Sequence, residues 1–349
     1  MADDVIFKEN VEKNHPIFGE YLHAIRMAVI HESDANKKKA GILDYLYNKE
    51  TSHRISESTV GERGFSTFEY KNEGANAQDD TVAQTYEKVI RHIPFGKTFT
   101  ISREAAADSK WGLTSDMKKI ISEFMRSYYG TRHLLGEYSL INGTAENYQF
   151  GVKNKIAVDT TVGDGLPLFS GAHTYYNPEL TGTQSNYFHK LDTSSAEAFS
   201  EHLSELAIKL RGFKDENGDP LAYIADTIVI PGNRGSLERM VKTVVGTERA
   251  AGSNKNDINL QFGNWNLVVL PHWIAGTDEV IVMSSEANKN LGGNMFYQRE
   301  KLSIENEIET KSRNLVYNGY ARMGIGFTTW KHILRATASK EQVGTSTEL

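Results

Sequence analysis

Cysteine is absent from all 349 residues, which excludes disulfides, thiolate metal sites and cysteine nucleophiles together. No apolar run approaches the ~20 residues needed to span a bilayer. The opening MADDVIFKEN is acidic and lacks the apolar core of a signal peptide. These absences predict a soluble chain and agree with reduced cytosolic folding. Basic charge is not in excess either. A formal net charge of −6 argues against a primary role in binding nucleic acid, while leaving room for a local basic patch. What is present suits folding: 39% of residues are hydrophobic and 24% charged, and the length allows two or three modules with cores of their own.

The catalytic and ligand-binding motifs are incomplete. Gly96-Lys97-Thr98 resembles the end of a phosphate-binding loop, but Arg91 stands where the first glycine belongs, and the run sits within a strand pattern. His31-Glu32 lacks the second histidine of a zinc-protease helix, and His92, His133, His173 and His272 show no ligand spacing. Ser170-Gly171 is not flanked as a hydrolase nucleophile elbow is. Asp79-Asp80 and Glu305/Glu307/Glu309 read as a solvated loop and a solvated strand face. Asn142-Gly143-Thr144 matches a glycosylation acceptor in form only. The sequence therefore predicts no enzymatic activity, no catalytic residue, no cofactor and no metal.

Residues 87–143 organise the chain. Val89, Ile93, Phe95, Phe99 and Ile101 alternate along one face of a strand. After Ser102 the period changes. Met117, Ile120, Ile121, Phe124, Met125, Tyr128, Leu135, Tyr138 and Ile141 recur at spacings of three and four, the stripe of a helix over 115–141. Ser115 fits its N-cap and Asn142-Gly143 its stop. At 1.5 Å per residue such a helix is about 40 Å long, a strut rather than a core element. Gly130 and Gly136 within it predict a bend or a close packing contact.

Before this unit, residues 1–14 are polar and read as mobile or draped over a neighbour. Phe18, Tyr21, Leu22, Ile25, Ala28 and Val29 share one helical face, and a second helix fits 38–47. With no strands around them, these helices read as an arm that docks elsewhere. Residues 51–80 turn polar and glycine-rich apart from Phe65, Phe68 and Tyr70. A strand fits 67–71 and a turn 72–80. The segment is either disordered or a projecting β-hairpin, and in the second case its three aromatic residues are candidate contacts with a neighbouring subunit.

After it, 194–211 reads as a helix capped by Ser194 with Glu197. Buried-strand patterns at 227–230, 267–270 and 280–283 enclose a helix at 236–245, which together make a compact α/β module. Alternation returns at Leu302, Ile304 and Ile308, and at Met323, Ile325 and Phe327, with Gly324 and Gly326 on the opposite face. The tail 341–349 is polar and reads as flexible.

This order of parts resembles the major capsid proteins of tailed bacteriophages. The likeness is carried by FGKTFTISREAA (95–106) with the helix after it, by ADTIVIPGNRGSLERMV…LQFGNWNLVVLP within 225–271, and by LFSGAH (168–173). It implies an α+β chain with the HK97 capsid fold: an N-terminal arm (1–54) and an extended loop (55–86). A peripheral domain with a long spine helix takes 87–165 and 293–318, and an α/β axial domain takes 166–292 and 319–340. It further implies a structural protein that self-assembles, as pentamers and hexamers, into an icosahedral shell around double-stranded DNA, which lies on the inner face without sequence-specific contacts. Expected partners are a portal, cement proteins and a scaffolding protein. The scaffold is expected to be a separate chain, because the space before the extended loop is too short for the cleaved scaffolding segment that many relatives carry. No membrane is involved; the expected location is the virion, assembled in the host bacterial cytoplasm. Two other readings stand beside it: an encapsulin-type compartment, which has the same fold around an enzyme cargo, and a hydrolase using Asp, Glu and His of the axial module.

Overall fold

A computed structural model describes residues 5–11, 18–37, 41–74, 76–77, 79–108, 113–248, 258–259 and 261–338; the side chains of 9, 19–21, 36–37 and 113–117 lie outside that description. Two sheets carry the architecture. The long one runs in the order Val5–Glu9, Asn294–Ile308, Leu315–Phe327, Ala83–Ile101, Ser56–Arg63, with Asn48–Thr51 also pairing along Asn294–Ile308. Its central strands are antiparallel, with Ile304 opposite Gly319 and Gly319 opposite Lys97. The helix Leu113–Ile141 lies against this sheet. Phe124 of that helix meets the sheet at Gly319, where a Cβ would collide with its ring, and packs on Phe99 with centroids 5.2 Å apart. A glycine at 319 lets the helix approach the strand closely.

Val89 is exposed rather than inward. The long strand is covered on opposite faces along its length. Its outer half buries Lys88, Ile90 and His92, and its inner half buries Ile93 and Ile101. Ile90 instead packs with Met295 and Tyr297, over Gly326, while His92 lies over Gly324. Those glycines, opposite Met323 and Ile325 in the alternation, thus make room for two side chains of the neighbouring strand.

The N-terminal part differs from expectation. Val5–Glu9 is a strand, parallel to Asn294–Ile308 from Val5↔Leu302 to Glu9↔Asn306. Asn306 accepts hydrogen bonds from the backbone N–H of Asn10 (2.7 Å) and Val11 (3.2 Å). The helix Gly19–Lys37 buries Phe18, Leu22, Ile25 and Val29 within its own chain, against the long helix. The second helix, expected over 38–47, runs over Ile42–Leu46, with 38–40 outside the described residues. Tyr47 Oη donates to the Gly136 carbonyl (2.8 Å), and a Cβ on Gly136 would strike Leu43. The close contact expected of a glycine is thus met at Gly136, while Gly130 has open space beside it. The long helix begins at Leu113, two residues before the expected cap, and ends at Ile141, where Asn142 Nδ2 donates to the Tyr138 carbonyl (2.8 Å).

The compact sheet has the order Asn266–Leu270, Thr227–Pro231, Glu279–Met283, Ile333–Thr337, Tyr187–His189. Thr227–Pro231 and Asn266–Leu270 are parallel and joined through the helix Gly235–Gly246, so both strands read as apolar runs. The helix Ala196–Arg211 packs against Gly235–Gly246 and buries Phe199, Leu203, Leu206 and Leu210. Its cap is Ser195, not Ser194: Ser195 Oγ accepts from Ala198 N (3.1 Å), while Ser194 N donates to Asp192 (2.8 Å). Ser195→Ala should lower stability by about 1 kcal/mol, read from urea unfolding, with Ser194→Ala near neutral. Among the described residues after 318, only Ile333–Thr337 joins this sheet; 319–327, expected with it, pairs in the long one. Among the described residues, no helix is long and apolar enough to cross a membrane.

Candidate interaction surface

Residues 55–86 contain a hairpin arm. Ser56–Arg63 pairs antiparallel with the outer part of Ala83–Ile101, from Ser56↔Arg91 to Arg63↔Ala83, with an irregularity between Val60 and Glu62. The strand expected at 67–71 is not formed, because two strands only just cover each other and nothing lies beneath the tip to bury a third.

The base of the arm is fastened to the body. Lys88 Nζ, buried, donates to Asp159 (2.6 Å) and to Thr161 Oγ1 (2.7 Å). Burial works to raise the Asp159 carboxyl, but hydrogen bonds from Lys88 and Thr161 outweigh it and hold it below the ordinary range. Tyr86 Oη donates to the Tyr175 carbonyl (3.2 Å), and its ring meets Tyr176 edge-on at 5.0 Å. Asn217 Nδ2 donates to the Gly64 carbonyl (3.1 Å).

Beyond Gly64 the three predicted contact residues are exposed. Phe65 is 67% exposed, Phe68 108% and Tyr70 89%. Within the tip, Asp80 accepts from the Ser66 backbone N–H (2.6 Å) and hydroxyl (2.8 Å), the chief cause of its lowered pKa. The tip is thus held through Asp80 and carries exposed aromatic rings. Ile55, Val60, Val82 and Val89 extend the apolar exposure along the arm. Sequence reasoning placed Val89 on the covered face of a strand, and it gave Ile55, Val60 and Val82 no part, because they are single apolar residues in or beside a polar segment.

Three histidines are held in hydrogen-bonded contacts within the fold. His173, fully buried, stacks on Trp330 (4.5 Å), bonds Asp164 through Nδ1 (2.7 Å) and faces Asn186 Oδ1 through Nε2 (3.2 Å). Asn186 also accepts from Ser170 N (2.9 Å) and donates to the carbonyls of Leu168 (2.7 Å) and Ile333 (3.2 Å). The LFSGAH run is therefore the clasp that fixes this segment to the last strand. His272 faces the buried Glu137 (2.9 Å). Among the described residues, no group of three or more His, Asp or Glu side chains is placed to hold a metal.

Buried His332 donates through Nε2 to Asn294 Oδ1 (2.8 Å), and its Nδ1 has no partner. Burial pushes its imidazole down from 6.5 to about 3. The unfolded chain then binds the extra proton between those values, so the stabilisation is complete above pH 6.5 and falls as the pH drops. At pH 5 it should have lost about 2 kcal/mol. His332→Gln, which keeps a donor for Asn294, should flatten the pH dependence of urea unfolding between pH 7.5 and 5 by that amount.

No protein-family model matches the chain, and no curated protein matches it in sequence. Among solved structures it is similar to the capsid of the cyanophage P-SCSP1u, with a TM-score of 0.50 and 11% identity over 87% of this chain and 89% of that one. It is also similar to a virus-like particle from Pyrococcus furiosus (TM-score 0.47, 10% identity, 91% and 99% covered). A third similar structure is the capsid of Myoviridae phage XM1 (TM-score 0.47, 12% identity, 86% and 93% covered). The cyanophage likeness fixes the fold: a mixed α+β chain with the HK97-like capsid architecture.

Proposed function

We propose that the chain is the major capsid protein of a tailed bacteriophage, a structural subunit that assembles into the icosahedral shell enclosing double-stranded DNA. The observation that carries this reading is the hairpin arm: its base is fastened, its aromatic tip is exposed, and the fold is one shared with a phage capsid. A monomer gains nothing from aromatic rings held in water, whereas burial against a neighbour returns about 25 cal/mol per Å². In this reading the long sheet with its spine helix Leu113–Ile141 is the peripheral domain, and the compact sheet with its two helices is the axial domain. The role is architectural and involves no catalysis. Portal, scaffolding and cement proteins would meet the finished shell, which forms in the host cytoplasm and ends in the virion.

Negative-stain electron microscopy tests the proposal. The expressed chain, alone or with a scaffolding protein, should form rings or closed shells of uniform size, and particles from an infected host should hold DNA resistant to added nuclease. A chain that sediments as a monomer under all these conditions overturns the reading, and particles filled with an enzyme instead of DNA redirect it.

A further inference from the structure

We propose that Asn217 is a site of spontaneous deamidation, and that its conversion releases the outer end of the hairpin arm from the compact module. Both steps take place within one copy and require no assembly.

Three Asn-Gly pairs occur in the chain, at 142–143, 217–218 and 318–319. A glycine in second place has no Cβ to obstruct attack by its own backbone nitrogen on the asparagine amide. In that reaction the deprotonated glycine nitrogen bonds to the asparagine Cγ, Nδ2 leaves as ammonia, and a succinimide ring results. Water then opens the ring at either carbonyl, giving aspartate or isoaspartate. What separates the three pairs is the freedom of the backbone to close the ring. Asn318 and Gly319 are paired on one side with Glu305 and Ile304, and on the other with Thr98 and Lys97. Gly143 is buried against the Phe169 ring, and its carbonyl accepts from Phe169 N (2.8 Å). Asn217 and Gly218 lie instead in the half-buried turn 215–219. Gly218 has a φ of 92°, and its N–H meets the Asp215 carbonyl at a long 3.4 Å. The attacking nitrogen is therefore held most loosely at Asn217.

Asn217 is also a tie of the arm. Its Nδ2 donates to the carbonyl of Gly64, the residue that follows the strand Ser56–Arg63. Deamidation removes this donor and leaves a carboxylate, an acceptor only, facing a carbonyl oxygen. An attraction becomes a repulsion. Isoaspartate also lengthens the turn by one backbone methylene, next to buried Glu216, which accepts from Lys331 Nζ (2.7 Å) and Tyr176 N (2.8 Å). The ties nearer the body, Lys88 with Asp159 and Tyr86 with Tyr175, stay as they are. The amide does not re-form in water, so the arm loosens with the age of the chain.

The test follows the two steps separately. The folded full-length chain is aged at mildly alkaline pH and mapped by peptide mass spectrometry, with isoaspartate detected by enzymatic carboxyl methylation. Asn217 should convert about tenfold faster than Asn142 or Asn318, and in urea the three should convert at similar rates, because only folded structure separates them. Limited trypsin digestion reads the release. Asn217→Asp should be cut after Arg63 and Lys71 severalfold faster than the parent chain, with little change in melting temperature. Asn217→Gln, which keeps the amide and cyclises slowly, should be cut at the parent rate. Aged parent chain, separated from fresh chain by anion exchange through its added negative charge, should be cut as fast as Asn217→Asp. Equal conversion at the three sites of the folded chain overturns the deamidation. Cutting of the aged chain at the parent rate overturns the release.

Discussion

Arg335→Ala should destabilise the folded chain by about 3 kcal/mol, because it leaves the largely covered carboxylate of Glu279 unpaired. Arg335 is buried on the last strand of the compact sheet. Its Nε donates to Glu279 Oε2 at 2.9 Å, and Nη2 donates to the same oxygen. Nη1 donates to the carbonyl of Ile141 (2.9 Å), one of the last acceptors of the spine helix, which no intrahelical donor satisfies. The guanidinium also lies 4.9 Å from the Trp273 ring and 5.7 Å from Phe169. One side chain therefore neutralises Glu279, terminates the strut and ties the compact module to it. Urea unfolding measures the loss, and a change below 1 kcal/mol would show that the junction is held by other contacts. Arg335→Met combined with Glu279→Leu should recover most of the stability, since the charge left behind, and not the missing pair, dominates the cost. Arg335→Lys should recover little, because an ammonium cannot span both acceptors.

The parts of this fold legible in the sequence are those whose burial follows one period over many residues. Phe199, Leu203, Leu206 and Leu210 mark a helix because a single neighbouring layer covers one face of it. Ile228, Val229 and Ile230 mark a strand because both faces are covered. What failed was decided by distant partners. Five residues, Val5–Glu9, form a strand only because the edge of Asn294–Ile308 is open to them, and nothing local signals that pairing. Val89 fits the same alternation as Ile93, yet the cover over Ile93 does not extend to it. Ser194 and Ser195 are equally good caps by type, and the choice fell to Ser195 because Asp192 holds the backbone of Ser194.

The surface was legible in part. Phe65, Phe68 and Tyr70 stood out as rings in a polar segment with no period to place them in a core, and they are exposed. Val89 was hidden, because it fits the alternation of a covered strand and only the packing around that strand leaves it in solvent.

Deleting the tip, 61–80, should abolish shell formation while leaving the monomer folded. The apolar side chains lost, Phe65, Phe68 and Tyr70, lie outside either core; of the ties that hold the arm's base, the deletion removes the one from Asn217 to Gly64 and keeps Lys88 with Asp159 and Tyr86 with Tyr175. Local stability tracks buried contacts, so circular dichroism and melting should change by no more than the loss of a few strand pairs. Assembly behaves differently. Each copy would lose one weak contact with its neighbour, and a ring multiplies that loss by the number of its members, because the contacts close on each other as linked events. Sedimentation should show monomers where the intact chain gives rings or shells. If the shortened chain unfolds, the tip belongs to a core and the arm has been misread. If it still closes shells, the aromatic residues have no part in assembly, and the force that joins the copies must come from the body of the long sheet.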